Sequence, residues 1–296
     1  MSLAVACALG AAFCFAVSTA MHQRAAKRQR RHHPLDPRLL LRLLRTRLWR
    51  LGWAPDVAGV CLQAVALRSG PLALVQPLTA SGLFMAILIE AGWNRRRAGA
   101  RDLLGAAVGL VGLAAFLTVA EPQAGVPAPP TDAWWRVALG VGGIVAVALA
   151  LSALVTGASR GALLGFAAGT LYGVAAALVK ALTAGLPGDP RALVLDPLLP
   201  ASAVVALTGL VINQSAFQSG RIAAPLTALT LADPVVSVVL GVTVFQETIT
   251  LGGPRVIVLA LAVAAIAAGV WLAGTAPTSS PGPGRVSAST GGRRNP

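Results

Sequence analysis

From Ile222 to Phe245 the chain runs 24 residues with a single ionisable side chain, Asp233. A helix needs about that length of apolar sequence to cross the ~30 Å hydrocarbon core of a bilayer. At ~1.5 Å per residue, Asp233 lies roughly 18 Å from Arg221 and roughly 21 Å from Glu247, near the middle of that core. Pro234 follows it, has no N–H, and weakens the helix one turn back, around Thr230. A carboxylate beside freed backbone carbonyls at mid-membrane depth points to a solute or ion site. The alternative is a protonated Asp that bonds a neighbouring helix and holds the bundle together.

The rest of the chain repeats this kind of run. Further apolar stretches occupy 2–20, 51–68, 71–93, 102–120, 134–155, 161–183, 197–217 and 255–274. Hydrophobic residues make up 56% of the 296 and charged residues only 11%, about half of what a soluble domain carries. The apolar runs are continuous rather than alternating, which argues against a β-barrel. The sequence therefore predicts an all-α polytopic membrane protein with about nine transmembrane helices. In the first run the basic residues follow the apolar core, from Arg24 onward, rather than precede it. A retained span is expected there, not a cleaved signal peptide.

The net charge of +14 would suit a nucleic-acid partner, but its placement argues otherwise. Of 24 Lys and Arg, ten fall between Arg24 and Arg50, four between Arg95 and Arg101, and three in the tail. With Arg160 and Arg221 these lie between apolar runs as topology determinants do. The positive-inside rule puts the N-terminus and the proline-rich 121–133 loop outside, and 22–50, 94–101 and the C-terminus in the cytoplasm of a plasma-membrane protein. Arg38, Arg42, Arg45 and Arg47, set among leucines, predict an interfacial helix over 37–48 that meets anionic phospholipid. The tail, 275–296, is rich in Pro, Gly and Ser and is expected to be disordered.

Two blocks share a plan. Residues 63–119 and 213–273 each read as the end of a span, a Ser-Gly turn, a proline-containing span, a short loop and a Gly/Ala-rich span. This predicts a first repeat over 1–120, an external loop and linker helix over 121–160, and a second repeat over 161–274. The odd linker inverts the second four-helix unit relative to the first, which is transporter architecture with its site at the repeat interface. Gly105, Gly109 and Gly112 form a face suited to close helix packing.

The phrase PLTALTLADPVVSVVLGVTVFQETIT resembles the closing signature of EamA-like members of the drug/metabolite transporter superfamily, and VIVLALAVAAIAAGVWLA follows as that family's last span does. LQAVALRSGPLALVQPLTASGLF is similar to the NIPA-like magnesium-transporter branch; this first-half block departs from the EamA pattern, its third span ending Glu90-Ala91-Gly92-Trp93-Asn94 rather than in Gly-Glu-Arg. The resemblance implies secondary transport of small solutes, or of Mg²⁺ for the narrower branch.

The residues expected to bind or couple are Asp233, Gln76, Asn213, Gln214, Thr230 and Lys180, with Pro77, Pro225 and Pro234 as helix breaks. Gln76 lines a cavity or bonds a facing helix; Asn213 and Gln214 sit at a cavity mouth or in packing. Lys180 is expected to snorkel to the surface, with a counter-charge to a carboxylate as the sharper alternative. Glu90 and Glu247 are read as solvated carboxylates at helix ends, and Gly140 to Gly143 as packing. His22, His32 and His33 have no acidic neighbours at ligand spacing, and Cys7, Cys14 and Cys61 lie inside apolar runs, so neither a metal site nor a disulfide is expected.

The leading expectation is a secondary carrier, not an enzyme and without bound cofactor, for a small solute or cation. A Mg²⁺ permease is the alternative, against which stands the lone mid-membrane carboxylate, since Mg²⁺ favours several oxygen ligands. A non-transporting membrane scaffold is the reading from another class. Nucleic acid is not an expected partner; a second copy of the chain, as a homodimer, is left open.

Overall fold

The structure is a computed structural model that describes residues 1–27, 46–93, 100–184, 195–217, 223–250 and 252–275. Those residues form ten α-helices: α1 (Ser2–Lys27), α2 (Arg47–Ser69), α3 (Leu72–Ala80), α4 (Gly82–Trp93), α5 (Ala100–Ala120), α6 (Thr131–Leu154), α7 (Gly157–Ala184), α8 (Leu198–Phe217), α9 (Ala223–Thr243) and α10 (Arg255–Thr275). No strand occurs among them; an isolated bridge pairs Gln123 with Thr248. The chain is an all-α membrane protein. Seven helices, α1 and α5 through α10, are long and apolar enough to cross a membrane.

Among the described residues, the two remaining apolar runs account for the difference between these seven and the nine expected. Helix α2 carries Arg47, Arg50, Asp56 and Arg68 along its length. The run 71–93 is not one helix, as the sequence suggested, but two. Helix α3 stops at Ala80 and α4 restarts at Gly82. Pro77 removes one backbone donor from α3, yet the interruption comes at Ser81, four residues on. There the hydroxyls of Thr79 and Ser81 donate to the carbonyls of Val75 (2.7 Å) and Leu78 (2.6 Å). Such side-chain bonds compete with the helical ladder. Gly82 then presses on α1: a Cβ there would stand 2.8 Å from the Ala12 carbonyl oxygen.

Two further boundaries differ from expectation. Helix α1 continues to Lys27, past the end of its apolar run, and Arg47 is the first residue of α2 rather than part of a separate segment. The rest of the expected interfacial helix, with Arg38, Arg42 and Arg45, lies outside the described residues, as do the tail, Ser219 and Gly220.

Helix α7 is the centre of the bundle, with most of its second half buried. It packs most closely on α9 and α8, with α6 and α2 beside it; α1 packs on α2, α4 and α3; and α5 packs on α10. Small residues bring these axes together, since between helices in lipid the attraction is packing rather than hydrophobic burial. The predicted glycine face of α5 does this: Gly112 meets Ala262, Ala265 and Ile266, and Gly109 lies against Gly269 of α10. Gly140, Gly142 and Gly143 of α6 do not pack as expected, because nothing lies within 4 Å of where their Cβ atoms would be.

Candidate functional site

Helix α9 is unbroken through Pro234, and Asp233 is its central residue, ten from either end. The consequence of Pro234 is therefore a missing donor opposite the Thr230 carbonyl, not a divided helix. Thr230 itself turns its hydroxyl back to Leu226 O at 2.8 Å. Pro225 is no helix break either: it stands in the first turn of α9, where a missing N–H is tolerated.

What places Asp233 is a ridge of glycines on α7. Gly165 meets Pro225, Gly169 meets Leu229 and Ala232, and Gly173 meets Asp233, Val236 and Ser237. A Cβ at Gly173 would stand 3.0 Å from the Asp233 carbonyl oxygen and 3.1 Å from Ser237 Oγ. The spacing of four on both helices holds them parallel and in register. The sequence reading passed over this ridge, although the Gly-x₃-Gly-x₃-Gly spacing in α7 was there to be seen.

Around Asp233 the side chains are polar and sparsely paired. Ser237, fully buried, donates to Asp233 Oδ1 at 3.4 Å. Tyr172 of α7 lies within the electrostatic reach of Asp233 and within hydrogen-bonding reach of the Asn213 amide on α8. Its ring covers Gly209, one turn from Asn213: a Cβ at Gly209 would be 3.0 Å from the ring edge. Asn213 Oδ1 has no hydrogen-bond partner. Thr227 Oγ1, two turns from Asp233 on α9, has none either. Gln76 on α3 is 2% exposed; its Oε1 accepts from Thr79 Oγ1 at 3.2 Å and its Nε2 is unpartnered.

Helix α3 begins beside the end of α9 and runs back along it, with Ala73 against Gly241. That register puts Gln76 at the level of Ser237, one turn from Asp233. Gln76, Asn213, Thr230 and Asp233 thus belong to one region between α3, α7, α8 and α9. Gln214 does not: it is exposed, on another face of α8 from Asn213. Tyr172 and Ser237 join the region without having been predicted.

Lys180 takes the sharper of its two expected roles, a counter-charge to a carboxylate, and Glu247 corrects the sequence reading. Glu247 is not solvated but 2% exposed, and Lys180 does not snorkel. Lys180 Nζ stands 2.6 Å from Glu247 Oε1 and donates to Gly70 O at 3.0 Å. The same carboxylate accepts from Leu72 N (2.6 Å) and Ala73 N (2.9 Å), the free donors at the start of α3. The ammonium sits 5.0 Å from the centroid of the Phe245 ring, which Trp134 meets edge-on. Gln246, with φ 53°, turns the chain so that Glu247 points inward. Behind it, Gln123 N donates to Thr248 O and Val126 N to Phe245 O, fixing the 121–126 loop against the segment.

A second polar cluster lies where α1 and α2 meet. His22 does have an acidic neighbour, Asp56, with Nδ1 and Oδ2 3.8 Å apart. Its ring clusters with Trp49 and Trp53 at centroid distances of 5.4 and 6.2 Å, the two indoles lying 5.5 Å apart. Among the described residues no three His, Cys, Asp or Glu converge as a metal site would require.

Among known proteins the chain is similar to an uncharacterized protein of Corynebacterium glutamicum. The two are 29% identical over 250 residues, which span 83% of this chain and 85% of the relative. No protein-family model matches the sequence, and no solved structure does.

Proposed function

We propose that this chain is a secondary carrier of small solutes, of the drug/metabolite transporter kind, working by alternating access around Asp233. The observation that carries the reading is the set of half-satisfied polar groups about a mid-helix carboxylate. Gln76 Nε2 and Asn213 Oδ1 are buried without partners in the region of an Asp held by one long hydrogen bond, and Thr227 Oγ1, two turns along α9, is likewise unpartnered. Each such group costs on the order of 1–3 kcal/mol, and a solute that visits the site and leaves it gives them a purpose. A helix end or a plain core contact would have paired them.

The packing supports the inverted repeat that such a carrier needs. Helix α1 packs on α2 and on the α3–α4 pair as α7 packs on α8 and α9, while α5 and α10 pack on each other across the two halves. In this reading α2 and the interrupted α3–α4 complete nine spans, α6 is the linker, and the protein sits in the plasma membrane with its N-terminus outside. The interruption at Ser81 then makes α3–α4 a discontinuous helix beside the site.

The test is solute flux into proteoliposomes with a panel of small metabolites, amines and Mg²⁺. Asp233→Asn keeps size and hydrogen bonding but cannot exchange a proton or balance a cation. Flux is expected to be lost while the protein stays folded and inserted. Undiminished flux in Asp233→Asn would remove Asp233 from the mechanism.

A further inference from the structure

We propose that Lys180, Glu247 and the start of α3 form a gate that shuts one end of the Asp233 site. The inference rests on the carrier reading above for its purpose. Its geometry stands independently. Lys180 is eight residues beyond Tyr172 on α7, and Gly241, against Ala73, is eight beyond Asp233 on α9. The clamp therefore lies about 12 Å from the site along both helices. It joins the two halves of the chain: Lys180 and Glu247 come from the second, and the Gly70 carbonyl and the Leu72 and Ala73 amides from the first.

Three features fit a gate better than a fixed staple. The acceptor side of the clamp is carried by 244–250, which has left the helix, with Gln246 in the left-handed region. Of the donors, Lys180 is fixed on the long α7, and the two amides belong to the nine-residue α3, jointed to the next helix at Ser81. Motion of 244–250 would carry with it the 121–126 loop that is hydrogen-bonded to it, and motion of α3 would turn at Ser81; neither disrupts a long helix. The third feature is physical. A buried pair is stable only when complete, because each ion alone has a large desolvation cost. Once Glu247 leaves Lys180 and the α3 amides, each needs water. The clamp thus has two favourable arrangements, paired and dry or parted and wet, as a gate requires.

The experiment reads water access at the buried Ser237 position, between clamp and site. Ser237→Cys is made in a full-length chain whose Cys7, Cys14 and Cys61 are serines. Its rate of reaction with a charged methanethiosulfonate reagent is measured in proteoliposomes. Slow reaction is expected with the clamp intact, and a several-fold faster one in Lys180→Met or Glu247→Gln. Lys180→Gln, which keeps a donor for Gly70 O, serves where a harsher change prevents folding. Gly112→Val, which loosens the distant α5–α10 contact, controls for general destabilisation. An unchanged rate in folded clamp variants overturns the gate, as does an equal rise in Gly112→Val. Because access is measured rather than flux, failure of the gate is distinguishable from failure to find a solute.

Discussion

At the scale of residues, charge is placed where the backbone supplies what charge needs. Glu247 receives two α3 amides and an ammonium, so its desolvation is offset on every side. Removing one member leaves the other buried and unpaired, which costs about 3–5 kcal/mol. Lys180→Met is accordingly expected to lower the melting temperature sharply. Lys180→Met combined with Glu247→Gln is expected to recover part of the loss, since Gln has no charge to strand and keeps an acceptor for an α3 amide. A double variant no more stable than Lys180→Met alone would show that the ion pair is not what holds the clamp. None of this was readable from the sequence around position 247, where a Glu just past an apolar run looks the same whether it faces water or a partner 67 residues away.

At the scale of elements, the α7–α9 contact sets the position of Asp233. Gly169 has no room for a side chain, because Leu229 and Ala232 already occupy that space. Gly169→Leu is expected to destabilise the protein by about 1–3 kcal/mol or to prevent insertion. Gly143→Leu on α6, which faces open space, is expected to change stability by less than about 0.5 kcal/mol. Thermal melts of the two in the same detergent compare them directly. Equal effects would mean that the glycine ridge does not set the helix spacing. The interruption of α3–α4 belongs to this scale as well. Pro77 marked the right segment, but the break fell at Ser81, where two hydroxyls and the close approach of Gly82 to α1 take over.

At the scale of the whole molecule, the Glu247 end gathers the 121–126 loop, Trp134, Phe245 and the start of α3. In the orientation expected from the distribution of Lys and Arg, this end faces outside. Cysteine substitutions should then divide cleanly in whole cells: Ala124→Cys, in the exposed loop, is expected to react with an impermeant reagent and Ala98→Cys is not. Reaction at position 98 would reverse the orientation and place the clamp on the cytoplasmic side.

The sequence by itself determined that the chain is helical, that it lives in a membrane, and which helix carries a carboxylate at its centre. Those properties depend on local length and polarity, because a backbone in hydrocarbon must satisfy its own hydrogen bonds and an ion there is costly. Only the tertiary structure decided which polar side chains meet. Ser237 on Asp233, His22 beside Asp56, and Lys180 on Glu247 are contacts between residues that are far apart in sequence or of ordinary appearance, and Tyr172 comes within electrostatic reach of Asp233. Glu90 and Glu247 read alike in the sequence; the free amides of α3 and the reach of Lys180 across the bundle are what set Glu247's role.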